Sequence, residues 1–296
     1  MNACIRTMTR NDIERVGEIL FDAFKVLASK HGLSPRLRSA QDGMSWAWTM
    51  HRHGPTDLRV AEVDQRVVGF SCLNPRGDIG GFGPFVVDPY LKSRGIGSKL
   101  LSEVLGRAKQ LRSVRCYQEA FNPVSFAVLY SYNFRPVAHL LDLVRGAEVA
   151  WKENRSGNVN KLEKENISEI LKYDVKRSKG DRRTDLEYYV RWGKVFFYQR
   201  QSRIRGFLAC LPGSATVQLG PMVAEGEEEA ECLYRHALAV FKEKNCRTII
   251  MARDDKLVEG LMKLGFQIYC LSNLMVRGNW RPSRYVESIS IFPEGI

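Results

Sequence analysis

The chain has 296 residues, enough for one large domain or two of ordinary size, each able to bury a core. Its 44% apolar and 26% charged content excludes a disordered or low-complexity chain. The net charge of +12 comes from 45 Lys and Arg against 33 Asp and Glu, but the cations are dispersed without a run of five or six, which disfavours nucleic acid as a partner.

Residues 3–8 read as a first strand, and Thr9 with Asp12 three positions on makes a near capping box. Ile13, Val16, Ile19, Leu20, Ala23, Phe24 and Leu27 then follow helical spacing. A less regular segment, 31–57, carries a helix through Met44, Trp46 and Trp48. It also holds the one histidine cluster, His51-Arg52-His53, read as loop surface because no cysteine or acid stands at a metal-ligand spacing. Two strands, 58–63 and 66–73, flank Asp64-Gln65 as a hairpin.

Gly83 to Leu101 is the most informative stretch. Phe85, Val86 and Val87 form a strand that stops at Asp88-Pro89. A turn follows with Lys92, Ser93, Arg94, Gly95, Ile96, Gly97 and Ser98, and after it an apolar stripe of Ile96, Leu100, Leu101, Val104, Leu105 and Ala108. Small residues and cations at a helix start suit a pyrophosphate, since unpaired amides and the helix dipole both favour anions. The dinucleotide pattern fails because Leu100 stands where a third glycine is needed, and the nucleoside-triphosphate pattern fails at Ser98-Lys99. A strand over 114–117, a helix over 124–132 after Asn122-Pro123 and a strand over 134–144 complete this half.

Residues 147–157 are polar and read as a linker. Beyond it the pattern repeats. Gly69-Phe70 and Gly83-Pro84 return as Gly206-Phe207 and Gly220-Pro221, an offset of 137. Asn133-Phe134 and Val144–Gly146 return as Gly265-Phe266 and Val276–Gly278, an offset of 132. Two tandem copies of one fold follow, 1–146 and 158–280, with 281–296 as a tail. The second copy reads as a strand over 158–162, helices near 166–178 and 183–191, and a hairpin around 194–199 and 203–211. A strand over 215–223, a helix over 227–244, a strand over 246–251, a helix over 255–264 and a strand over 266–276 complete it. Its turn is acidic, Ala224-Glu225-Gly226-Glu227-Glu228-Glu229, so it satisfies its helix dipole itself and repels a phosphate. One active site per chain is expected.

Lys92-Ser93-Arg94-Gly95-Ile96-Gly97 after such a strand resembles the cofactor motif of the GNAT superfamily of acyl-CoA N-acyltransferases, with lysine in the usual Gln or Arg place. The resemblance covers nearly all of 3–146 and, in degenerate form, 158–278, where Asp181-Arg182 and Met275–Gly278 resemble the C-terminal domain of tandem members. It implies an α/β (α+β) fold with two mixed, mostly antiparallel sheets flanked by helices. It also implies acetyl-CoA as cofactor, its pantetheine arm on the backbone of Phe85, Val86 and Val87 and its pyrophosphate on 92–98, with Asn122 close by. The implied reaction is direct attack of a primary amine on the thioester, the acceptor being a small molecule or a peptide. Glu119 is the candidate base and Tyr130 the candidate acid for the leaving thiolate. The family's tyrosine position falls at Leu129, one residue or about 100° of helix away, so water remains the other candidate acid. The alternative in a different class is a non-catalytic acyl-CoA sensor or a basic nucleic-acid-binding module.

The seven cysteines stand at least 14 positions apart, which argues against a zinc site or a disulfide scaffold. No apolar run approaches the ~20 residues of a membrane helix, and residues 1–12 lack a signal-peptide core. A cytoplasmic monomer or homodimer, without metal and off the membrane, is expected.

Overall fold

The computed structural model describes residues 3–54, 56–91, 95–150, 157–178, 180–213 and 216–289. The chain divides into two compact units, Met1–Cys116 and Tyr117–Ile296.

The first unit runs β1 (Cys4–Thr7), a 3-10 turn (Arg10–Asp12), α1 (Ile13–Lys30), α2 (Ala40–Arg52), β2 (Asp57–Val63), β3 (Arg66–Arg76), β4 (Ile79–Val87), α3 (Ile96–Arg107) and the start of β5 (Ser113–Glu119). The strands lie in chain order, antiparallel until β4 meets β5 in parallel. Asp64 and Gln65 both take positive φ, 49° and 59°, the two-residue turn whose twist matches a hairpin. α1 and α2 touch backbone to backbone where Gly17 and Gly43 meet: a Cβ on Gly43 would collide with the Gly17 carbonyl oxygen. The anticipated stripe of α3 is buried from Ile96 to Leu105.

The capping pair at the first helix gains a third member. The Thr9 N–H and hydroxyl donate to Asp12 Oδ2 at 2.7 and 2.9 Å, and Arg6 grips the same carboxylate with bonds of 2.8 and 2.9 Å. Arg6 also donates to Glu62 on β2 at 2.7 Å, so one guanidinium joins β1, β2 and the helix entrance.

The second unit contains the end of β5, α4 (Pro123–Ser131), β6 (Arg135–Arg145), β7 (Val159–Lys161), a 3-10 turn (Lys164–Asn166), α5 (Ile167–Ser178) and α6 (Arg183–Trp192). It continues with β8 (Lys194–Arg200), β9 (Arg203–Pro212), β10 (Thr216–Ala224), α7 (Glu227–Val240), β11 (Asn245–Met251), α8 (Asp255–Lys263), β12 (Gln267–Gly278) and β13 (Val286–Ile289). Its strand order is β12-β6-β11-β13-β10-β9-β8-β7. The repeat extends to fine detail: Gln201 and Ser202 form the same positive-φ turn as Asp64 and Gln65. In each copy the parallel pair holds for three residues, Ile79–Gly81 on Ser113–Arg115 and Thr216–Gln218 on Asn245–Arg247.

The division by compactness falls inside β5, because β6 pairs with β12 along one edge and β11 along the other. Two features depart from the sequence reading. The stretch expected as a tail, 281–296, holds a strand: β13 lies antiparallel between β10 and β11. His51 and Arg52 end α2 instead of lying in a loop, and His53 just after them is buried. The seam around β6 is polar at one point, where fully buried Asp142 accepts from Arg247 Nε at 2.7 Å, from its Nη2, and from the Tyr117 hydroxyl at 3.1 Å. The desolvation cost of such a buried pair offsets much of its Coulombic gain, so it adds little net stability.

The Arg6 hydrogen bond, opposed in part by burial, holds the Asp12 carboxyl down to about 2. A depressed carboxyl stabilises the fold above the unfolded-state value near 3.9, and that contribution is lost as pH falls towards about 2. Asp12→Asn is therefore expected to lose about 2 kcal/mol at pH 7 in urea unfolding. The gap to the parent should close between about pH 4 and pH 2; a gap independent of pH would show that the charge is not what Arg6 holds.

Candidate cofactor and active site

β4 is held by β3 along its whole length, with Ser71 opposite Phe85, Phe70 opposite Val86 and Gly69 opposite Val87. On its other side the register with β5 ends at Gly81, and among the described residues no ladder continues beside Phe85–Val87. Val86 is buried and Phe85 and Val87 are half-buried, so their side chains serve the core while the main chain remains available. The strand end is fixed by Asp88, which receives Arg15 Nη2 and, at 3.0 Å, the Tyr90 N–H.

The turn beyond is built for close approach. Gly95 is the N-cap of α3 with φ of 71°, a left-handed conformation that favours glycine, and a Cβ there would meet nothing within 4 Å. Gly97, in the first turn, would place a Cβ at ordinary contact distance from Phe85 and Val87, 3.5 and 3.6 Å. Ile96 and Gly97 stand in the first turn of α3, whose main-chain N–H groups have no partner within the helix. Ile96 is buried as the first residue of the apolar stripe, and Ser98 is exposed on the same turn. Lys92, Ser93 and Arg94 lie outside the described residues.

In the second unit, Glu119 closes β5 and is buried. Asn122 caps α4, its Oδ1 accepting the Ser125 N–H at 3.1 Å, with Pro123 at the first helical position. A buried glutamine that sequence reading passed over organises this corner. The Gln118 amide nitrogen reaches Glu119 O at 2.6 Å, Asn122 O at 2.8 Å and Ser125 Oγ at 2.9 Å. Asn273 of β12 donates to Gln118 Oε1 at 2.9 Å, so the last strand of the repeat sets the turn that carries Glu119 and Asn122.

Leu129 and Tyr130 separate as the one-residue shift implies. Leu129 is buried, while Tyr130 is 47% exposed, its ring stacked on Phe126 and covered by the Arg135 guanidinium at 3.9 Å. Asn133, at φ 66°, ends the helix in the left-handed region, and Gly265 does so at φ 90° in the second copy.

The second copy's helix start differs as its acids require. Gly226 precedes three glutamates, and carboxylates of this turn are paired. Glu225 accepts from Arg177 at 2.8 Å and Arg203 at 3.1 Å, and Glu229 accepts from Arg205 at 3.2 Å. Where the first copy has open glycine backbone, this one carries its own anions with their counter-ions. Arg182 is structural: it is buried and grips buried Asp174 with two hydrogen bonds.

Family models match both copies. One described as Acetyltransferase (GNAT) family matches residues 15–143, and one described as Acetyltransferase (GNAT) domain matches 170–289. The chain belongs to the GNAT family, as a tandem protein. Acetyl transfer from an acyl-CoA is the chemistry of that family. Solved structures share the fold over nearly the whole chain. A putative acetyltransferase from Pyrococcus horikoshii is 18% identical with a TM-score of 0.78, covering 96% of this chain and 92% of its own. A GCN5-related N-acetyltransferase from Sphaerobacter thermophilus is 12% identical, TM-score 0.67, covering 93% and 95%. A tandem GNAT protein of the clavulanic acid biosynthesis pathway is 15% identical, TM-score 0.63, covering 95% and 100%. Among curated proteins none matches the chain by sequence. Among the described residues no group of His, Cys, Asp and Glu is placed to hold a metal ion, and no helix is long and apolar enough to cross a membrane. The described cysteines are all free.

Gly95→Ala meets no steric obstacle in this GNAT protein, so its cost is conformational, about 1 kcal/mol for an L-residue held left-handed. Gly95→Asn, which tolerates that region better, is expected to lose less. Denaturant unfolding of the two variants checks this, and equal stability of Gly95→Ala and the parent would contradict a left-handed Gly95.

Proposed function

We propose that the chain is an acetyl-CoA-dependent N-acetyltransferase with one active site, carried by the copy over 1–146, while the copy over 158–280 holds no cofactor. The observation that carries the proposal is the pairing of a ladder-free β4 edge with an open, left-handed Gly95 at the start of α3. In this reading the backbone of Phe85, Val86 and Val87 pairs with the pantetheine arm. Residues 92–98 receive the pyrophosphate through amides and cations, and Asn122 completes the cofactor set. Bound acetyl-CoA supplies an activated acyl group to a primary amine of a small molecule or peptide.

The chain's own residues then have two proton tasks and one electrostatic one. Glu119 takes the proton that the ammonium must lose before it can attack, through water if not directly. A main-chain N–H at Val86 or Val87 donates to the oxygen on which negative charge develops, a task for fixed dipoles. Protonation of the departing thiolate falls to Tyr130 or to water. The exposure of Tyr130 and the guanidinium on its ring favour water, since neither holds the hydroxyl in a fixed direction.

Calorimetry with coenzyme A tests the cofactor placement: Gly95→Glu puts a carboxylate on the phosphate's path and is expected to weaken binding by tenfold or more, on the order of one close like-charge contact. Equal affinity in both proteins removes the pyrophosphate from this turn. With an amine panel, Glu119→Gln should lower turnover by about 100-fold or more with little change in coenzyme A affinity. Tyr130→Phe should leave turnover unchanged if water is the acid; a comparable fall would give the role to Tyr130.

A further inference from the structure

The wedge of the second copy contains a strand. β10 and β11 part after Gln218, as β4 and β5 do after Gly81, and β13 runs antiparallel to both of them. Met222, Val223 and Ala224 face Ser288, Glu287 and Val286 on one side, and Ile249 and Ile250 face Ile289 and Ser288 on the other. Ser288 is thus in register with both neighbours. Val286, Ser288 and Ile289 are buried, with Val286 in the core beneath α7 and Ile289 in a second apolar cluster. The fit is tight: a Cβ on Gly220 would lie 2.7 Å from the Ile289 carbonyl oxygen.

Two side chains tie the insertion to the rest of the copy. Asp254 precedes α8 at the place that Asn122 takes before α4, 132 positions earlier. Burial raises its carboxyl, while the Arg253 charge and then a hydrogen bond with the Glu287 main chain oppose the rise. Arg177 holds Glu225 of the acidic turn and lies 5.1 Å from the Tyr285 ring, just ahead of β13. One guanidinium therefore links the feature that replaces the phosphate turn with the strand that fills the wedge.

We propose that β13 is a built-in occupant of the second copy's cofactor cleft, a strand of the chain itself lying where the first copy takes the extended arm of acyl-CoA. This rests on the reading of the first copy given above. A strand in the wedge satisfies the main chain of both diverging strands, so this copy is complete without a ligand. Because the occupant is tethered, its effective concentration is on the order of millimolar, so at equal intrinsic affinity micromolar acyl-CoA is outcompeted. The acidic turn removes the phosphate contacts that would otherwise help it. The chain accordingly binds one cofactor, and its second copy is constitutively closed.

Calorimetry and hydrogen–deuterium exchange on the full chain, with and without coenzyme A, test this. One coenzyme A per chain is expected. The amides of Met222–Ala224 and Ile249–Ile250 should be protected whether or not it is present, and those of Phe85–Val87 should gain protection only when it is. Ser288→Pro removes a strand N–H at the doubly paired residue and should speed exchange at 222–224 and 249–250 by roughly tenfold or more, one ladder bond being worth about that. Tyr285→Ala is a milder change that keeps the strand's own donors and should shift the same amides in the same direction by less. Binding of two coenzyme A molecules per chain overturns the inference, as does exchange at those amides that neither substitution alters. Binding of none by the parent instead sinks the reading of the first copy, and the exchange data then decide alone whether β13 fills the wedge.

Discussion

β4 and β5 keep a parallel register over three residues and then lose it, and β10 and β11 do the same. A strand edge that leaves its partner exposes N–H and C=O groups that have to be met by something, because a buried unpaired amide or carbonyl costs as much as a lost hydrogen bond. The parting of two strands is thus the constraint from which the rest follows. In one copy, among the described residues, no strand continues beside Phe85–Val87, and the helix that follows starts at a left-handed Gly95. In the other the chain meets the requirement itself, with β13 along the edges and paired carboxylates at the helix start. The two copies share a backbone and differ in who answers its hydrogen bonds.

The local parts of this arrangement were legible in the sequence. Each element rests on its own periodicity: the stripe from Ile96 to Leu105, the two-residue hairpin turns, and the helix entrance at Asn122-Pro123. The repeated Gly-Phe and Gly-Pro anchors give the tandem organisation because backbone needs at a glycine are local and recur with the fold. β4 begins earlier than its apolar core suggests, at Ile79, since Gly80 and Gly81 carry no side-chain pattern to read.

What the sequence did not disclose is long-range pairing. Residues 286–289 are only four, and nothing in Val-Glu-Ser-Ile announces a partner strand more than sixty positions upstream. The place of β6 between β11 and β12 is likewise a matter of which edges remain open once everything else is packed. The site corner has the same character. Gln118 reads as an ordinary strand residue, yet it reaches Glu119, Asn122 and Ser125 and is held by Asn273, 155 positions away. The one-residue offset at Tyr130 was visible, and the structure gives it substance: Leu129 takes the inward position and the tyrosine turns to Phe126 and Arg135.

The seating of β6 also bears on how the chain is made. β6 ends at Arg145, while β11 and β12, which cover its two edges, end at Met251 and Gly278. A ribosome adding roughly 5–20 residues per second needs on the order of ten seconds between finishing β6 and finishing its last neighbour. Over that interval the strand carries an open hydrogen-bonding edge and half-formed apolar faces. The neighbours that β6 has in the folded chain are therefore made only with the second copy.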